Sequence, residues 1–157
     1  MHKLLAFGAG VALSLAVTTG VCAQTVDKKT LSFEAAMKVA AAAGAEAWAR
    51  GLGVVIAVVD DGGHLILLHR LDDTQVASVN VGIGKARTAA IYRRPSKDFE
   101  DQIRAGRVAA LALADSTPLQ GGVPIRLDGK VIGAIGVSGD TPQVDEAIAI
   151  VGANAFK

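Results

Sequence analysis

Only two of the chain's three histidines, His64 and His69, lie beyond the apolar N-terminal stretch that contains His2. Both fall in HLILLHR, which reads as a strand, so residues five apart point to opposite faces and stand about 16 Å apart at roughly 3.3 Å per residue. They cannot chelate one metal within a subunit. Either imidazole alone could serve as the axial ligand of a haem iron; the plainer readings are a solvated His64 just after a turn and a packed or hydrogen-bonded His69. Arg70 follows directly. Its planar guanidinium suits a two-pronged contact with a carboxylate, which could come from Asp72, from Asp145 or from an acidic ligand.

Other chemistries lack their residues. Ser78, Ser116 and Ser138 have no nucleophile-elbow context. GGHLILLHR is no phosphate loop, and GAIGVSG does not link a strand to a helix as a dinucleotide fingerprint must. The neighbouring acids Asp60-Asp61 and Asp72-Asp73 read as solvated turn residues. The single cysteine, Cys22, lies in the N-terminal stretch, so the rest of the chain has no disulfide and no thiolate ligand. Sixteen basic residues against fifteen acidic ones argue against a nucleic-acid partner, which needs a strong basic bias. Cations nevertheless gather from Lys85 to Arg107 (Lys85, Arg87, Arg93, Arg94, Lys97, Arg104, Arg107), with Asp98, Glu100 and Asp101 among them. This is either a solvated helix face or a rim that attracts a carboxylate-bearing ligand.

Two hairpins and four helices must position these residues. Asp128-Gly129 between β-prone runs marks a hairpin, because the tightest turn needs positive φ at both central positions. In its return strand Gly133 and Gly136 are bare, which weakens a strand unless a helix or ligand must touch its backbone. A first hairpin, Val54–Asp60 and His64–Leu71, turns at Asp60-Asp61-Gly62-Gly63. Its strands are apolar on both faces, so both faces must be covered, by helices or by a second subunit. Ahead of it, Ser32 caps a helix with Phe33, Met37, Ala40, Gly44, Ala47 and Trp48 as its inward stripe. Between the hairpins, helical spacing runs from Asp73-Thr74 to Pro95, placing Lys85, Thr88 and Tyr92 on one face. Ser96 then caps a short helix with Phe99 and Ile103 inward, and Arg107–Gln120 is ambiguous. Thr141-Pro142 starts a last helix with Val144, Ala147, Ile148 and Val151 inward. The order helix, hairpin, two helices, hairpin, helix gives an α+β domain with an antiparallel sheet built from the two hairpins.

Residues 1–23 read as a signal peptide. A short basic start precedes an apolar run to about Val17, and Val21-Cys22-Ala23 suits cleavage before Gln24. A membrane anchor would need roughly 20 apolar residues, and an acylated Cys22 would need a smaller residue than Val21 before it. This places the protein in the periplasm or medium, with residues 24–31 as a flexible lead-in and 32–157 as one domain.

Three stretches carry a resemblance: VVIAVVDDGGHLILLHRLDD, GKARTAA, and GGVPI followed by DGKVIGAIGVSG and Asp145. Together they resemble the GlcG/HbpS family of haem-binding or haem-degrading domains, also found appended to some cobalamin adenosyltransferases. The resemblance implies a profilin-like α-β-α sandwich and a small-molecule site containing Arg70, Asp72, Lys85, Thr88, Gly122, Ser138 and Asp145. It makes haem the first ligand to consider, with Lys85 either paired to a propionate or snorkelling to water, and His69 as the candidate axial ligand. Family members can supply a haem ligand from the first helix or the loop ahead of Gly122; here those places hold no histidine, and Ser116 or Thr117 would stand there as oxygen ligands. An exported small-molecule-binding protein that forms a homo-oligomer, without nucleic acid or membrane span, is therefore expected. The alternatives are an enzyme or enzyme accessory acting on a small oxidised metabolite, and a ligand-free structural subunit.

Overall fold

The computed structural model describes residues 24–156; the expected signal peptide lies outside them. Helix α1 (Phe33–Ala49) precedes strands β1 (Val55–Asp60) and β2 (Leu65–Arg70). Helices α2 (Ser78–Ile91) and α3 (Lys97–Arg104) and a 3-10 turn (Val108–Ala112) follow. Strands β3 (Gly122–Leu127) and β4 (Lys130–Ser138) and helix α4 (Pro142–Asn154) complete the chain. The four strands form one antiparallel sheet in the order β2-β1-β4-β3.

The sheet separates two apolar layers. On one face Ile56, Val58, Ile125, Ile135 and Val137 pack against Val39, Ala40 and Ala43 of α1 and Ile148 and Ala149 of α4. On the other, Ala57, Val59 and Ala134 meet Ala86, Ala89 and Ala90 of α2. The β1 strand, apolar throughout, is thus covered on both faces by helices of its own chain, and the expected α+β sandwich is present. The turn at Asp128 and Gly129 has φ of 50° and 76°, as its sequence requires.

The sheet's two edges differ. Pro124 interrupts β3, and a proline cannot donate to a further strand. Edge strand β2 has no proline and exposes Leu65.

Three expectations change. On α1 the buried residues are Ala36, Val39, Ala40, Ala43, Gly44 and Ala47, whereas Phe33, Met37 and Trp48 are 57%, 44% and 76% exposed. The inward stripe is the small-residue one, because the helix lies too near the sheet for large side chains. On α4, Asp145 and Gly152 face inward and Val151 outward. A Cβ on Gly152 would lie 3.0 Å from both Ala43 Cβ and Val39 O, so glycine there brings the two helices together. In the lead-in, Leu31 is buried and its N–H donates to Ile132 O (2.8 Å), extending the ordered domain by one residue.

Candidate functional site

Helix α2 crosses β4 almost backbone to backbone. A Cβ on Gly136 would fall 2.2 Å from Gly82 O and 2.5 Å from Ala86 N, and one on Gly122 would fall 2.1 Å from Lys85 O. Only glycine permits this approach, and it carries the Lys85 side chain through the domain. Lys85 Nζ donates to Asp145 Oδ2 (2.8 Å), at the start of α4, and to Val137 O (3.0 Å). Both side chains are almost wholly buried, at 5% and 3% exposure. The second oxygen of Asp145 accepts from Asp140 N (3.0 Å). Burial pushes the Asp145 carboxyl above its ordinary range, against the opposing pull of Lys85. Lys85 therefore has an internal carboxylate, and its ammonium does not reach solvent.

The other residues of GKARTAA and GGVPI extend this polar seam. Thr88 Oγ1 donates to Gly84 O (2.8 Å) and accepts from Thr117 N (2.7 Å). Ser138 Oγ lies 3.3 Å from Ser78 Oγ. Ser96, expected as a helix cap, makes no capping bond. Instead its hydroxyl donates to Leu119 O (2.5 Å) and accepts from Gly122 N (2.8 Å), while its N–H donates to Gly122 O (3.0 Å). A serine after proline gives the same sequence signal for either role, so this clasp was not visible in advance.

Arg70, Asp72 and His69 lie elsewhere. Arg70 pairs in register with Val55 and His69 with Ile56. Since Val55 faces α2 and Ile56 faces α1, the two adjacent side chains project to opposite faces of the sheet. Arg70 is exposed, and its Nη2 donates to Thr74 O (3.2 Å). It makes no ion pair with Asp72 or Asp145 among the described residues. A shallow hollow of about 260 Å³ runs along Arg70, Leu71, Asp72 and Asp73. Lys85 does not line it, so the two cations read together from sequence have separate partners.

His69 is half-buried on the α1 face of the open edge strand. With 3.6 residues per turn, Phe33, Met37, Ala41 and Trp48 share one flank of α1. It is the flank turned away from Val39 and Ala43, which meet α4, and so it borders β2. The C-terminal ends of α1 and β2 coincide, since Leu52 N donates to Ala47 O and Leu71 N to Val54 O. Trp48 and His69 thus share one face and one end of the domain. Among the described residues no cluster of His, Cys, Asp or Glu could hold a metal by itself, and no helix is long and apolar enough to cross a membrane.

Residues 31–154 match the family model described as haem degrading protein HbpS-like. The chain is 44% identical over 111 residues to protein GlcG of Escherichia coli K12, covering 71% of this chain and 83% of that one. Among solved structures, protein ORFY of Klebsiella pneumoniae superposes with a TM-score of 0.80 at 29% identity, over 85% of this chain and 94% of that one. A double mutant of Streptomyces reticuli HbpS gives 0.78 at 28%, over 92% and 97%. The structure of a PduOC:heme complex gives 0.73 at 25%, over 80% and 94%.

Proposed function

We infer that this chain, which belongs to the HbpS-like family, is an exported small-molecule-binding protein whose first ligand is haem. The observation that carries the reading is one half-buried imidazole, His69, on an open edge strand at the end of the domain where exposed Trp48 stands on the same face. This donor set fits haem: an apolar surface for the macrocycle and one nitrogen for the iron. The heme complex of a structural neighbour supports the same reading. His69 would hold the iron and Trp48 would cover the ring. When bound, haem would supply redox and oxygen chemistry, and the protein's part is to ligate and orient it.

The hollow beside Arg70, about 260 Å³, is smaller than the roughly 300–1,000 Å³ that enclose most small ligands. The ligand would therefore lie against the surface. A second copy packed on the open β2 edge would dry it, which favours a homo-oligomer. Arg70 ends the same strand but projects to the α2 face, so a carboxylate of a ligand seated beside His69 would stay in solvent.

The test is a haemin titration of wild-type protein and His69→Ala, followed by the Soret band. Saturation at one haem per chain, with the band displaced in the variant, is expected. Identical spectra would remove His69 as the ligand, and no saturable change in wild type would remove haem.

A further inference from the structure

Two side-chain polar atoms among the described residues are buried without a hydrogen-bond partner: Arg87 Nε and Ser116 Oγ. Leaving such donors dry and unpaired is unfavourable, and both belong to one corner. The loop 114–117 is strapped along α2 by successive contacts. Tyr92 Oη donates to Ala114 O (2.7 Å), Arg87 Nη2 lies 3.6 Å from Asp115 Oδ2, and Thr117 N donates to Thr88 Oγ1 (2.7 Å). Ser116 therefore sits between the residue tied to Arg87 and the residue tied to Thr88. Close packing fixes both sides of this strap. A Cβ on Gly84 would lie 2.2 Å from Thr117 Oγ1, and one on Gly63 would lie 2.8 Å from Arg87 Cγ.

The resident partner of Arg87 is loose. Its 3.6 Å separation from Asp115 exceeds the roughly 2.7–2.9 Å of a charge-assisted hydrogen bond. Asp115 is also exposed and holds a positive φ of 54°, a region few non-glycine residues adopt. A guanidinium N–H and a hydroxyl, both desolvated, beside a carboxylate that grips only weakly, make a donor set for an incoming oxyanion. The cation-rich stretch that begins at Lys85 adds a field of the right sign.

We propose that Arg87 and Ser116 form a subsite for the carboxylate of a small organic acid, which displaces Asp115 from the guanidinium when it binds. The site is on the α2 side of the sheet, whereas His69 is on the α1 side, so it does not depend on the haem reading. The rival occupant is a single buried water bridging the two orphaned groups.

Acetate titrated into the full-length, isotope-labelled protein, against chloride at equal ionic strength, separates these. The NMR signal of the Arg87 Nε–H should shift saturably with acetate and not with chloride. Ser116→Ala should weaken acetate by roughly ten- to a hundredfold, the range for a hydrogen bond to a charged group. Asp115→Asn, an exposed change that leaves the packing intact, should tighten it by about two- to fivefold by removing a weak ionic competitor. In Arg87→Gln the Thr117 amide, which donates to Thr88 beside the site, should lose the acetate-dependent shift it shows in the wild type. Absence of an acetate-specific shift in both wild type and Asp115→Asn would assign the corner to water, and unchanged affinity in Ser116→Ala would remove the two-residue site. Haemin plays no part in this titration, so its failure and failure of the haem reading are distinguishable.

Discussion

Replacing Gly136 by alanine adds one methyl group at the tightest crossing in the domain. Its Cβ would sit 2.2 Å from Gly82 O, 2.5 Å from Ala86 N and 3.0 Å from Ala86 Cβ. Ordinary contacts begin near 3.4 Å, so α2 would have to retreat by about 1 Å, an overpacking change of the kind that costs about 1–3 kcal/mol. The nearest atoms are helix backbone and cannot rotate away, which places this site at the upper end. Retreat would also stretch the bonds from Lys85 to Val137 O and Asp145, now 3.0 and 2.8 Å. A loss of about 3 kcal/mol should lower Tm by roughly 10 °C for a domain of this size. Gly44→Ala is the internal control. Its Cβ would meet only Ile56 Cδ1, at 3.8 Å, so the substitution should gain the roughly 1 kcal/mol by which alanine exceeds glycine in a helix. Thermal and urea melts of the two variants should move in opposite directions. An unchanged or raised Tm in Gly136→Ala would refute the close-crossing argument.

The Asp145 carboxyl has a folded-state pKa above its ordinary 3.8 because burial opposes its charge. Its contribution to stability is therefore full below about pH 3.8 and declines as pH rises through the raised value; a carboxyl-carbon NMR titration midpoint below 3.8 would contradict this. Lys85→Met removes the pull that opposes the burial of Asp145; it should raise the Asp145 titration midpoint further and destabilise at neutral pH by about 3–5 kcal/mol, measured by urea melts. The open β2 edge and the apolar flank of α1 predict a homo-oligomer, and a single-chain mass by light scattering at micromolar concentration would contradict it. Protein recovered from the periplasm or medium should begin at Gln24 by intact mass, and retention of Met1 would exclude that processing.

The fold was legible because its hairpins carry their own punctuation. Asp128-Gly129 and the Asp60–Gly63 turn bound strands rich in β-branched residues, and Ser32 and Thr141 sit where their hydroxyls accept from Ala35 N and Val144 N. The inward faces of α1 and α4 were less legible. Size and hydrophobicity favour Phe33, Met37, Trp48 and Val151, but the interhelix spacing admits only Ala43 against Gly152. The family-matched polar residues were found, and Lys85, Thr88, Gly122 and Asp145 do lie together, whereas Arg70 and Asp72, read into the same site, lie apart. Lys85, Thr88, Gly122 and Asp145 are assembled by the crossing of α2 over β4, a nonlocal event with no periodic trace in the sequence. Likewise, Arg70 and His69 are neighbours in the chain and on opposite faces of the sheet, a separation that strand alternation foretells once their roles are considered together. Arg87 was read only as one of a run of cations and Ser116 only as a possible oxygen ligand; their pairing had no signal, because an unsatisfied buried atom becomes visible only when its surroundings are in place.

The central claim is tested most directly by the emission of Trp48, the chain's one tryptophan, placed on the flank that borders the strand of His69. Haemin added stepwise to full-length protein should quench that emission saturably at one haem per chain, in parallel with the growth of a Soret band. Emission that persists at equimolar haemin, with no saturable Soret change, would contradict haem as the ligand and the α1 flank as its seat.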